Sequence, residues 1–278
     1  LLALAMPIWE ALLAGCTGYA LVMLFTCFTA IQGSDLGVPS CVAIQSCFGK
    51  LGSRFIASVL LTISLVGWFG VNNAVCGSAF SNLMSTSFGI DVPLSVSTFI
   101  WGIVMLTTAV YGFSAMGKLN IIAVPALLIV CIIGCFLAMK EHGTEALNVY
   151  VEPTMTFIQG VTLTTGFLAM QVTTAADITR YQTGRKNTLK ATLWGTTPAG
   201  ILMLVIGILM AKVAGQHDIS LVLIDIGLPI LGMIVLILAA WTTNTSNVYL
   251  AGIDIVNVFN LKDDKRAMVT LIAGVLGT

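Results

Sequence analysis

Residues 226–255 read IGLPILGMIVLILAAWTTNTSNVYLAGIDI. A helix needs about 20 mostly apolar residues to cross a bilayer, and this run is long enough. Its middle holds Trp241-Thr242-Thr243-Asn244-Thr245-Ser246-Asn247, six consecutive polar residues after the indole. Such a run covers every face of a helix, so its members cannot all point at lipid. Polar groups in hydrocarbon are costly unless they are satisfied or line a cavity. The stretch therefore reads as a membrane helix with a polar function at its centre. Adjacent hydroxyls can offer oxygens to a hard cation, and small polar residues can equally bond neighbouring helices.

The rest of the chain has the same character. Of 278 residues, 58% are hydrophobic and 9% are charged, where a soluble domain carries about 25% charged residues. That excludes a soluble fold, and the high hydrophobicity excludes disorder. Twelve basic residues balance twelve acidic ones, which leaves no basic face for nucleic acid. The expected fold is an all-α polytopic membrane protein. About eight spans are read: Ala11–Gln32, Arg54–Met84, Pro93–Phe113, Leu119–Met139, Thr154–Ala176, Thr188–Ala214, Ile226–Ile255 and Ala267–Thr278. The chain opens in the apolar stretch Leu1–Trp9 and stops inside the last span, so residues 1–278 are expected to be a single transmembrane domain cut at both ends.

Charge sorts by loop. The loops after the spans ending near Gln32, Phe113, Ala176 and Ile255 hold Lys50, Arg54, Lys118, Arg180, Arg185, Lys186, Lys190, Lys262, Lys265 and Arg266, ten of the twelve basic residues. The opposite loops hold Lys140 and Lys212 with Asp91, Glu141, Glu145, Glu152, Asp218 and Asp225. Basic loops favour the cytoplasmic side, so the first set is expected there. Val38–Lys50 is apolar but too short to cross, and reads as an interfacial helix on that side. His142 and His217 fall in outside loops and read as solvated. The seven cysteines form no CxxC pair and lie away from histidine, which argues against a metal centre.

Two further stretches stand out. In Gly67-Trp68-Phe69-Gly70-Val71-Asn72 the indole falls near the middle of its span, where a flat ligand can stack on it. Its flanking glycines leave room for approach, and Asn72, one turn on, offers both donors and acceptors. Thr164-Thr165-Gly166-Phe167-Leu168, followed by Gln171 and Thr173-Thr174, suggests a helix broken at Gly166, as in several transporters. That span closes on Asp177-Ile178-Thr179-Arg180-Tyr181, whose Asp177 and Arg180 are placed to anchor or gate. Thr196-Thr197-Pro198 punctuates another span.

Taken in order, Val66-Gly67-Trp68-Phe69-Gly70-Val71, Asp177-x-x-Arg180-Tyr181 and Trp241-Thr242-Thr243-Asn244 with Tyr249 resemble the cytosine permeases of the nucleobase–cation symporter family. Leu36–Gly49 resembles the family's cytoplasmic segment. The resemblance implies part of a 5+5 inverted-repeat bundle of the leucine-transporter type, running from the end of family helix 1 into helix 9. It implies Trp68 as one stacking wall for the substrate. The opposing wall would be Leu168 or Phe167 beside Gly166, with Asn72, Ala239 and Asn244 as further substrate contacts. It implies Thr242 and Thr243 as sodium-site hydroxyls, joined by the Ala239 carbonyl. Ala239, Asn72 and Gln45 stand where cytosine permeases tend to carry Asn, Gly and Arg, so the likeness speaks for the transport class rather than for cytosine.

The function read from this is uptake of a nucleobase or similar planar heterocycle, driven by Na+ or H+ through alternating access. No cofactor beyond the coupling ion is expected, and the partners are the substrate, the cation and the bilayer. The rivals are an amino-acid symporter of the same fold and an integral membrane enzyme acting on a lipid. The enzyme lacks an obvious catalytic set, since Asp263-Asp264 is embedded among Lys262, Lys265 and Arg266.

Overall fold

The computed structural model describes residues 2–216 and 218–278, with the side chains of Thr86 and Ser220 left aside. His217 therefore lies outside the described residues. Among them, eight helices have twelve residues or more. They are α1 (Ile8–Leu36), α2 (Ser58–Phe88), α3 (Leu94–Tyr111), α4 (Phe113–His142), α5 (Phe157–Thr179), α6 (Thr197–Ala214), α7 (Pro229–Phe259) and α8 (Arg266–Gly277). The boundaries follow local chemistry. Pro7 and Pro93 precede α1 and α3, and Pro198 sits in the first turn of α6, positions where a missing N–H costs no helical bond. Thr156 and Gln159 form a reciprocal capping box that starts α5. Gly37, at φ 66°, closes α1 in the left-handed conformation that a β-carbon disfavours.

Each predicted span overlaps one of these helices. By length and apolarity, the described residues hold six helices able to cross a membrane. Two predicted spans fall outside that set. Helix α8 has only 12 residues, and α5 is diluted by threonine, glutamine and Asp177.

The described residues divide into two compact units. The first comprises Leu1–Ala43 and Leu128–Gly232. In it α1 lies along α5 through small residues. A β-carbon on Gly18 would fall 2.7 Å from Thr164 Cβ, and one on Gly33 would fall 2.7 Å from Ala176 Cα. Such close approach lets dispersion and hydroxyl–carbonyl bonds hold helices where no hydrophobic drive acts. Thr179 Oγ1 accordingly donates to Ala30 O at 2.9 Å. Tyr19 Oη donates to Thr196 O at 3.2 Å, tying α1 to the chain before α6. Ala3, Met6, Ala11, Ala14, Ile208 and Ala211 form a buried apolar cluster.

The second unit comprises Ile44–Leu127 and Met233–Thr278. Its core includes Leu65, Phe69, Met105, Leu106, Val248 and Tyr249. Glycine again sets the spacing: a β-carbon on Gly77 would meet Thr98 Cα at 2.8 Å, and one on Gly277 would meet Phe69 Cδ1 at 3.0 Å.

Several expectations need correction. Helix α5 is continuous through Gly166. Its threonines do not break it because their hydroxyls bond back to their own helix, Thr162 to Ile158 O, Thr164 to Gly160 O and Thr174 to Met170 O. The single interfacial helix is two pieces, Ser40–Ala43 and Gln45–Gly52, the second interrupted at Gly49 (φ 68°, ψ 174°). Lys212 is in no loop: it occupies the last turn of α6 and is 7% exposed. His142 is exposed as expected, at the end of α4 rather than in a loop, with Nε2 3.5 Å from Asp225 Oδ2.

Two helical starts are π-helical, Ser53–Ala57 before α2 and Ala191–Thr196 before α6. The second coincides with the punctuation at Thr196-Thr197-Pro198. The wider turn replaces i→i+4 bonds by i→i+5 bonds and shifts the facing of all that follows.

Candidate functional site

In the second unit, Trp68 and Asn72 stand one turn apart on α2. Trp68 is 46% exposed, while Asn72 is half-buried. Between them Phe69 is fully buried, so this part of α2 has an outward indole face and an inward phenyl face. Gly67 has open space where a side chain would be, as a ligand approach requires. Gly70 does not share that role, since a β-carbon there would lie 3.0 Å from Gly277 O. The sequence pointed to Asn72, yet Asn73 is the fully buried amide, with Nδ2 donating to Thr98 O at 3.1 Å.

The polar run of α7 is largely satisfied within its own helix. Thr242 Oγ1 donates to Leu238 O at 3.0 Å and to Ala239 O at 3.1 Å. Thr245 donates to Trp241 O, and Ser246 to Thr242 O. Trp241 Nε1 donates to Thr108 Oγ1 of α3 at 3.0 Å. Asn244 is fully buried, and its Nδ2 donates to Phe69 O at 3.0 Å. That bond fixes the amide's orientation, because the flipped amide would set two acceptors face to face. Its Oδ1 is buried with no hydrogen-bond partner among the described residues. Thr243 alone of the run is exposed. Thr242 and Ala239 adjoin through the hydroxyl–carbonyl bond, which leaves the hydroxyl lone pairs free for a cation.

The remaining predicted residues belong to the first unit. On α5, Gly166 is exposed with open space at its β-position, Phe167 is 74% exposed and Leu168 is half-buried. Further along, Asp177 is buried and its Oδ1 accepts from Ser40 N at 3.0 Å, so the carboxylate holds the start of Ser40–Ala43. That is an anchor's geometry. Arg180 lies over the Tyr181 ring at 4.8 Å, and Arg185 pairs with Asp35 at 2.7 Å.

A family model described as permease for cytosine/purines, uracil, thiamine, allantoin matches residues 1–278, and the chain belongs to that family. It is similar to the cytosine permease of Escherichia coli (strain K12), at 29% identity over 271 residues, 96% of this chain and 62% of the relative. It is also similar to the hydantoin permease of Microbacterium maritypicum, at 25% identity over 263 residues, 85% of this chain and 53% of that one. The chain thus spans little more than half to three fifths of the length of the curated relatives it matches.

The fold matches Mhp1, a nucleobase-cation-symport-1 family transporter, in a closed conformation with bromovinylhydantoin bound. The TM-score is 0.83 and the identity 19%, covering 99% of this chain and 65% of Mhp1. The inward-facing conformation of Mhp1 matches at a TM-score of 0.77 and 20% identity, covering 99% and 63%. The leucine-transporter-type helical architecture expected from the resemblance is therefore the fold of this chain.

Proposed function

We propose that the protein is a secondary active transporter that imports a nucleobase or related planar heterocycle by symport with Na+ or H+ through alternating access. The observation that carries this reading is Trp68, a midspan tryptophan 46% exposed on α2 with Asn72 one turn away. A flat, neutral, hydrogen-bonding ligand suits that pair. The family and the names of the relatives, a cytosine permease and a hydantoin permease, support the same substrate class.

Within the second unit, Trp68 is assigned the stacking face, Asn72 the heterocycle edge, and Ala239 and Asn244 further contacts. Asn244 serves through Oδ1, since Nδ2 is held by Phe69 O. The cation ligands assigned here are the Thr242 and Thr243 hydroxyls and the Ala239 carbonyl. Within the first unit, Gly166, Phe167 and Leu168 are the assigned substrate residues. The loops rich in Lys and Arg are assigned to the cytoplasm. An inward-negative potential then adds about 2.3 kcal/mol per charge per 100 mV to cation-coupled uptake.

A zwitterionic amino acid fits less well, because none of the assigned substrate contacts is charged. Competition tests the choice: unlabelled nucleobases and hydantoins should displace a bound labelled nucleobase, and amino acids should not. Displacement by amino acids alone would reverse the assignment.

A further inference from the structure

Helices α2, α7 and α8 of the second unit enclose a wedge. At its closed end α2 and α8 touch: a β-carbon on Gly277 would lie 3.2 Å from Val66 Cγ1, and one on Gly70 would lie 3.0 Å from Gly277 O. From there toward the turn between α7 and α8, a cavity of about 680 Å3 separates the helices. Val66 and Leu276 line its closed end, and Thr62, Phe259, Leu261 and Met268 line the rest. Thr62 is the single polar residue of the lining among the described residues. Phe259, Met268 and Leu276 are exposed, so the wedge opens sideways onto the face that the spans turn to lipid.

The open end is basic. Arg54 reaches it from the π-turn before α2, donating through Nε and Nη2 to Val258 O at 3.3 and 3.0 Å, next to the lining residue Phe259. Lys262 follows Leu261 directly, and Lys265 stands three residues before Met268; both are exposed. Asp263 and Asp264 are exposed between them, and Lys50 is exposed ahead of Arg54. Arg266 is turned away, its guanidinium over the Tyr249 ring at 4.6 Å. Without it, Lys50, Arg54, Lys262 and Lys265 still outnumber the two carboxylates. Thr62 adds a polar point inside the wedge. Its Oγ1 is buried and bonds to none of the described residues, unlike Thr242 and Thr245, which bond back to their own helix. A buried hydroxyl without an acceptor is costly, so Thr62 marks where an occupant presents one.

We propose that the wedge binds an anionic phospholipid, with an acyl chain in the cavity and the phosphate at the basic turn. The chain lies against carbon side chains, Thr62 Oγ1 donates to an ester carbonyl at the glycerol, and Arg54, Lys262 and Lys265 meet the phosphate. Arg54 precedes Thr62 by eight residues, about 12 Å along the axis, which a glycerol phosphate and a long basic side chain cover together. Lys and Arg clustered beside membrane helices recognise anionic lipid in this way. The turn belongs to the loops assigned to the cytoplasm, where the leaflet carries such lipids. A partner helix crossing the bilayer fits less well, because α2 and α8 close the wedge at Gly277. The site needs only the membrane placement of these helices and does not depend on the transport reading.

Photolabelling of the full-length protein tests this. Vesicles of phosphatidylcholine carry a small fraction of phosphatidylglycerol with a diazirine in its acyl chain, and a second sample carries the diazirine on phosphatidylcholine. After illumination, peptide mapping locates the adducts. The phosphatidylglycerol probe should label residues 62–66 and 268–276 severalfold more than the phosphatidylcholine probe does. It should also label them severalfold more than the exposed α4 face at Ile121 and Ile122, which reports ordinary bilayer contact. Lys262→Gln combined with Lys265→Gln should erase the headgroup preference and leave the melting temperature unchanged, since both lysines are exposed. Thr62→Val keeps the side-chain shape and should lower labelling of the wedge severalfold. Equal labelling by the two probes, a preference that survives the double variant, or full labelling in Thr62→Val would overturn the proposal. A wedge left unlabelled by both probes would mean that protein covers it, and would overturn the proposal as well.

Discussion

Trp68→Ala removes an outward-facing indole and no core contact of the size of its buried neighbour Phe69. Base–aromatic stacking is worth roughly 1–3 kcal/mol in nucleic-acid binders, so nucleobase affinity should fall about tenfold or more, while thermal stability falls less than when the fully buried Phe69 is truncated. Equilibrium binding and a melting curve on the same sample read both; full affinity would place the substrate elsewhere. Phe69→Ala should do the reverse. It empties a fully buried position and costs about 3–5 kcal/mol of stability, visible as a large drop in melting temperature. Thr243→Ala removes an exposed hydroxyl with no packing role visible in its burial. Sodium dependence of binding should weaken and the fold should survive. Sodium dependence left intact would favour proton coupling.

At the scale of elements, small residues hold the helices together. Gly33→Val forces side-chain atoms into Ala176 of α5 and should cost about 1–3 kcal/mol by overpacking, measured by thermal unfolding in detergent. Gly166→Ala, where space is open, should leave stability within about 0.5 kcal/mol. Helix order and approximate spans were legible in the sequence, because a 20-residue apolar run bounded by proline, glycine or charge has few alternatives. Three things were not. A Thr-rich stretch with glycine reads as a break, yet a threonine hydroxyl can satisfy itself on its own helix and leave α5 whole. The π-turns were hidden because no residue type dictates a single i→i+5 bond. The inward amide was missed by one position: Asn72 and Asn73 differ by about 100° around α2, and the pattern gave no phase for that turn.

For the whole molecule, the chain joins two units, each with its own glycine-spaced helix contacts and buried core. The candidate residues are uncharged in both units, which matches a neutral substrate carried with a separate cation. The central claim is gradient-driven transport of a planar heterocycle. Its most direct measurement is uptake of radiolabelled nucleobases and hydantoins into liposomes containing the full-length protein, under an imposed sodium or proton gradient. Accumulation above equilibrium that collapses with an ionophore, and that Trp68→Ala abolishes at low substrate, is the predicted result. No accumulation of any such compound under either gradient would contradict the account.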